Sequence, residues 1–210
     1  MAAGKKLYDI SMTIREGMQV YKNKEEKKPE FKNMSNHRSG TAHETRIGLD
    51  AHCGTHLDAP LHMLEGGDTI DTIPLERLIA PAVVVDVTHV NGGIGRGDLE
   101  RHDLSGAEWM LLKTRNSYSE EFDFEFVYLA ADGAEYVIER GLRGVGTDGL
   151  GIERAQPEYP THRSLMRSGV LIVEGLRLKD VPAGKYELVI APLKLEGIDA
   201  APARAFLLGE

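Results

Sequence analysis

The stretch His52-Cys53-Gly54-Thr55-His56-Leu57-Asp58-Ala59-Pro60-Leu61-His62 puts three imidazoles and a carboxylate within eleven residues, and it constrains the fold more than any other feature. Run as one straight strand, His52 and His56 would share a face but stand about 13 Å apart. That is too far to share an ion. Gly54 must therefore bend, bulge or turn the chain so that the imidazoles meet, while Pro60 stiffens the link from Asp58 to His62. A lone histidine beside a strand is ordinarily a satisfied polar residue. Four metal-competent groups separated by small residues instead form a donor set suited to a divalent ion such as zinc or manganese. Cys53 has the opposite parity and reads as a small buried apolar side chain.

The flanking sequence supplies strands. Leu7–Ser11 opens the chain, and Thr45, Ile47, Leu49 and Ala51 alternate with Arg46, Gly48, Asp50 and His52, which predicts a strand from Glu44 onward. Ala82–Val87, Trp109–Thr114, Phe126–Leu129, Leu142–Thr147, Val170–Glu174, Tyr186–Ala191 and Ala203–Leu208 are further strand candidates, the first rich in β-branched residues. Two helices interrupt them. Asp132 with Glu135 has the spacing of a capping box, and Gly141 is placed to end that helix. Pro160–Ser168, ended by Gly169, predicts a second, short helix leading into a strand whose last residue is Glu174. The expectation is an α/β protein around a mixed sheet, forming one domain over residues 1–210, with residues 15–43 as a loop or arm over the site.

Composition narrows the function. The formal charge is 25 − 33 = −8, which disfavours general nucleic-acid binding, since that needs clustered lysine and arginine. No apolar run is long enough to span a bilayer, and the first residues carry two lysines but no apolar stretch behind them. A single cysteine fits a reducing cytoplasm. His162, at the start of its helix, and Glu174 are further candidate donors, and Asp58 could bridge two ions. His37, His43, His89 and His102 are isolated among loop or surface residues and stay outside the ligand set.

The His52–His62 stretch resembles the H-x-G-T/A-H-x-D-x-P-x-H signature of the cyclase-type metal hydrolases, which include bacterial kynurenine formamidase and isatin hydrolase. Gly146-Thr147-Asp148-Gly149, the run from His162 to Glu174, Gly175–Gly184 and the tail Leu188–Arg204 are similar to that family in the same order. The resemblance implies a barrel-like mixed β-sheet with flanking helices. It implies His52, His56 and Asp58 on one ion, Asp58 bridging to a second ion held by His162 and Glu174, and His62 as general acid/base. It also implies zinc or manganese, two ions per chain, and a homodimer or homotetramer. The expected activity is hydrolysis of a small-molecule formamide, N-formylkynurenine to kynurenine and formate, by metal-activated water. The alternatives are hydrolysis of a cyclic amide or lactone and a non-catalytic metal-binding module. One departure stands out. Family formamidases carry a Trp-Pro-Gly-Asp-like segment after the first strand, whereas this chain has Val20-Tyr21-Lys22-Asn23-Lys24. Tyr21 is the expected replacement stacking surface. The lysines around it point to an anionic or differently shaped substrate, and Trp109, the only tryptophan, is expected in the core.

Overall fold

Strands that carry apolar residues at both parities need cover on both faces, and the architecture supplies it. The computed structural model describes residues 6–209 of the chain. Its strands are β1 (Lys6–Asp9), β2 (Glu30–Ser35), β3 (Glu44–Gly48), β4 (His56–Asp58), β5 (Ile79–Asp86), β6 (Gly93–Ile94), β7 (Trp109–Lys113), β8 (Tyr128–Leu129), β9 (Gly144–Thr147), β10 (Leu171–Glu174), β11 (Gly184–Pro192) and β12 (Ala200–Gly209). The helices are α1 (Arg96–Leu99), α2 (Ala131–Glu139) and α3 (Pro160–Arg167).

The main sheet runs β12-β11-β5-β7-β9-β10-β4, and β4 returns to β12, closing a seven-stranded barrel. The long β12 makes closure possible: its start, Ala200–Pro202, pairs with β4, and its end, Phe206–Gly209, takes β1 on the same edge. β5, β7, β9 and β10 are mutually parallel, and the remaining barrel pairings are antiparallel. Parallel neighbours need crossovers, and α2 and α3 provide those leading to β9 and β10.

Side-chain parity sorts the core into two clusters. Ala82, Val84, Trp109, Leu111, Leu171 and Val173 join Leu57, Leu188, Ile190, Ala205 and Leu207 in one cluster. Val83, Val85, Met110, Leu112, Val145 and Ile172 face the other way, into a cluster with Ala134 and Val137 of α2 and Leu165 and Met166 of α3. Trp109 is fully buried, as expected of a core residue, and its indole N–H donates to the Arg77 carbonyl at 2.9 Å. Gly144 opposite it has to be glycine, because a Cβ there would overlap the indole ring.

Four sequence expectations change. The strand beginning at Glu44 stops at Gly48, so Leu49, Ala51 and His52 are not strand residues; every residue of β3 is exposed, and β3 pairs only with β2 in a hairpin outside the barrel. Alternation signalled a strand correctly, but here it reflects no buried face. The stretch 15–43 is therefore not loop throughout, since β2 occupies part of it. The strand expected at Phe126–Leu129 shrinks to β8, which pairs with β6 in a separate two-stranded sheet. Asp132 lies inside α2 rather than capping it; its carboxylate accepts the backbone N–H of Arg96 at 3.1 Å instead. Gly141 (φ 68°) and Gly169 (φ 73°) do follow their helices in left-handed conformation.

Candidate metal centre

Three loci meet at one end of the barrel. β4 lies antiparallel to β10 with His56 opposite Glu174, so the register alone brings an imidazole and a carboxylate face to face. His56 and Asp58, two residues apart, project from the same face of β4. Asp58 is opposite Ala200 on the other neighbour, which delivers Asp199 to the same corner. Before β4, Gly54 has φ 65°, the bend required to fold His52 back. The His52 and His56 rings then stand 4.9 Å apart, centroid to centroid, in place of the separation a straight strand would impose. Thr55 locks the bend: its hydroxyl donates to the Gly175 carbonyl at 2.6 Å and accepts the Met12 N–H at 2.7 Å. Cys53 points away into a small cluster with Met18 and Val20, and burial pushes its thiol up to about 11.

The donor atoms of His52, His56 and Asp58 lie within 4.8 Å of one another, and so do those of Asp58, His62 and His162. Asp58 Oδ1 is 3.0 Å from His52 Nδ1 and 3.5 Å from His56 Nε2. Glu174 reaches both sides, with Oε2 3.3 Å from His56 Nε2 and Oε1 3.5 Å from His162 Nε2. His56 Nε2 and both Asp58 carboxylate oxygens are buried without a hydrogen-bond partner. Buried polar atoms are normally satisfied, and leaving them otherwise is costly. A divalent cation bound here would satisfy them, so the residues fit the group.

The outer partners fix which nitrogen each ring presents. His56 Nδ1 is 2.9 Å from the Gly54 carbonyl, which leaves Nε2 for the centre. His162 Nδ1 is 2.8 Å from Glu153 Oε2, and His52 Nε2 is 3.0 Å from Asp199 Oδ2. Carboxylates behind ligating imidazoles hold the tautomer and raise basicity. Glu153 also accepts the backbone N–H groups of Thr161 and His162, capping the first turn of α3. The same Asp199 oxygen lies 3.4 Å from His62 Nδ1.

The electrostatics are those of a cation site. Burial opposes charge on His52, yet Asp58, Asp199 and Glu174 hold its pKa up at about 9. His162, against the same burial, is raised to about 10 by Glu153, Glu174 and Asp58. His56 is raised likewise: Glu174 and Asp58 outweigh its complete burial. Burial would lift Glu174, but His162 and His56 hold it well below the usual carboxylate range.

All five residues expected as ligands converge here, and His62, on a short turn over Pro60–His62, sits 4.3 Å from the His52 ring and 6.0 Å from the His162 ring. Above them opens a cavity of about 260 Å³, whose lining includes Tyr21, Lys22, Met63, Leu150 and Tyr159. Tyr21 stands edge-on to Phe122 and Phe126 at 5.5 and 6.4 Å; burial, and then the charges of Glu174, Tyr159 and Glu153, raise its phenol. Sequence reasoning missed Glu153, Asp199 and Tyr159. Nothing local marks them, since each acts on a residue from another part of the chain or on the cavity itself. His37 and His43 lie near each other in and beside the hairpin, 6.5 Å apart.

A mixed barrel carrying buried imidazoles and carboxylates at one end, with an open cavity above, is the architecture of a metal-dependent hydrolase. Residues 8–154 match the Cyclase family model, and the chain belongs to that family. It is 33% identical over 207 residues to the kynurenine formamidase of Sphingopyxis alaskensis, covering 96% of this chain and 97% of that one. The kynurenine formamidase of Salinibacter ruber is 33% identical over 204 residues, 96% of each. A solved structure described as a potential metal-dependent hydrolase with cyclase activity superposes with TM-score 0.92 at 50% identity, over 99% of both chains. Isatin hydrolase A from Labrenzia aggregata shares the fold, with TM-score 0.85 at 23% identity over 97% of this chain and 93% of that one.

Proposed function

We propose that this chain is a metal-dependent amidohydrolase that cleaves the formyl C–N bond of an aryl formamide, as the kynurenine formamidases among its relatives are named for doing. The observation that carries the reading is the set of buried, unpartnered polar atoms on His56 and Asp58, next to His52, His62, His162 and Glu174, which line the cavity. His52, His56 and Asp58 would hold one ion, and Asp58, His162 and Glu174 a second, zinc or manganese. Bound there, such ions lower the pKa of water towards about 7 and polarise a carbonyl. His62 takes the proton from the attacking water and returns it to the departing nitrogen; Asp199, beside its Nδ1, orients the ring. Tyr21 offers the substrate ring an aromatic wall backed by Phe122 and Phe126. The exposed β2–β3 hairpin, with Met34 and Ile47 both more than half exposed, supports a homodimer or homotetramer, and the single cysteine a cytoplasmic enzyme.

A second reading, opening of a cyclic amide or lactone, is favoured by the fold shared with isatin hydrolase A. The two differ in products: a formamide releases formate, and a ring releases nothing. The test supplies N-formylkynurenine and cyclic amides to protein reconstituted with zinc or with manganese, with formate assayed and bound metal counted. Formate release at close to two ions per chain establishes the formamidase. Turnover of the cyclic amides alone transfers the assignment to ring opening, and bound metal with no turnover of either moves the search to other acyl substrates; a closed coordination shell with no exchangeable water is what would mark a binding module. Glu174→Gln should lower the occupancy of one ion more than the other; unchanged stoichiometry removes Glu174 from the ligands.

A further inference from the structure

The cavity has acidic and basic ends. Glu153 and Glu174 line it beside the imidazoles, whereas Lys22, Lys24 and Lys27 line it from the segment after Val20. These lysines are not equivalent. Lys27 binds both oxygens of Asp50 at 3.1 Å, and Asp50 in turn accepts the His52 N–H, so Lys27 ties the arm to the metal-site loop. Lys24 is 3.7 Å from Glu26. Lys22 has no carboxylate partner among the described residues; its ammonium sits 5.2 Å above the Tyr21 ring.

The backbone makes the same distinction. Among the described residues only Lys22 (φ 57°), Asn23 (φ 51°), Ala155 (φ 53°), Glu158 (φ 64°) and Tyr159 (φ 54°) are non-glycine residues in left-handed conformation. They fall in two segments, and each segment contributes a cavity wall, through Lys22 and Tyr159. Such conformations are unfavourable for residues with a Cβ and concentrate at ligand sites. Here the strain holds an unpaired ammonium beside an aromatic face at the cavity wall.

Resting on the amidohydrolase reading, we infer that Lys22 is a specificity residue that binds an anionic group on the substrate, so that the preferred substrate is a single-ring amide with net negative charge. The cavity of about 260 Å³ accommodates one ring with short substituents. The acyl group enters towards the imidazoles, where a neutral carbonyl is tolerated beside the carboxylates. The ring lies along Tyr21, and the anion meets the Lys22 ammonium. A zwitterionic amino-acid tail would bring its own ammonium against Lys22 and lose that advantage.

The test compares formanilide with its ring-carboxylated analogues on metal-loaded protein. The wild type should prefer the carboxylates; Lys22→Gln should raise their KM about five- to tenfold, as expected for loss of one partly exposed charge-assisted contact. kcat and the kinetics of formanilide should stay unchanged, Lys22→Arg should retain the preference, and salt should erode it in the wild type alone. Equal effects of Lys22→Gln on the neutral and anionic substrates would overturn the inference. If neither compound turns over, the aryl formamide reading is what has failed, and calorimetric binding of 3-acetamidobenzoate and acetanilide decides the role of Lys22. Tighter binding of the carboxylate in the wild type, lost in Lys22→Gln, supports the anion site; equal binding of the two ligands refutes it.

Discussion

The floor and the rim of this cavity are built by opposite means. On the floor, the register of β4 between β10 and β12 sets His56 against Glu174 and brings Asp199 beside Asp58, and every displacement is resisted by paired backbone and close packing. The rim hangs on two loop segments whose shape depends on left-handed residues and a few side-chain ties. Rigid strands hold His56, Asp58 and Glu174, while the loops at the rim can be replaced without disturbing the barrel. The lysine-bearing segment here, against the aromatic one of the formamidases, is the kind of change this division permits.

The sharpest way to break the comparison is at His62, which belongs to the floor by position but not to a strand. His62→Ala should lower kcat by about 10²–10⁴-fold with metal content unchanged, measured by turnover and metal analysis on the same samples. Loss of the metal together with activity would make His62 a ligand, in keeping with its closeness to Asp58 and His162. Asp199 comes next. It touches His52 and His62 with one oxygen, so Asp199→Ala should weaken metal binding about 10–100-fold and alter the pH profile of kcat. A purely structural role would lower stability and leave that profile in place.

The floor should also show itself through pH. In metal-free protein, His52 and His162 titrate at about 9 and 10, above their ordinary value of 6.5. A pKa raised by folding stabilises the fold fully below the unfolded value and loses that contribution as pH climbs through the folded one. The Tm of the metal-free protein should therefore fall by several degrees between about pH 7 and pH 10, while the loaded protein, whose imidazoles carry no such protons, should lack that component. Identical pH dependence in both forms would mean that these rings are not displaced of their protons by metal.

The difference between floor and rim also explains what could be read in the sequence. The His52–His62 stretch announced itself because its donors are close in the chain and Gly54 could serve them in one way only, by bending it. The parallel strands were legible as β-branched and apolar runs, and Trp109 as core. Glu153 and Asp199 were not, because a carboxylate 9 residues before the imidazole it touches, or 137 residues from another, has no local pattern. β3 misled for a related reason: alternation records strand geometry, and only the partner strand decides whether either face is buried. The charged run 22–32 revealed its composition, but not that one of its lysines would remain unpaired at a cavity.

The smallest effect should separate rim from floor most cleanly. Lys22 keeps its left-handed backbone at a cost that glycine does not bear. Lys22→Gly should therefore raise stability by about 0.5–1 kcal/mol, after the extra freedom of the unfolded glycine is set against the relief, or about 1–4 °C in Tm for a chain of this size. The same substitution removes the ammonium and should erase the preference for anionic substrates. A protein made more stable and less selective by one change is what a rim strained for recognition requires. If thermal unfolding shows instead a loss of stability, the conformation at Lys22 is being held by interactions that serve the fold, and the loop belongs with the floor.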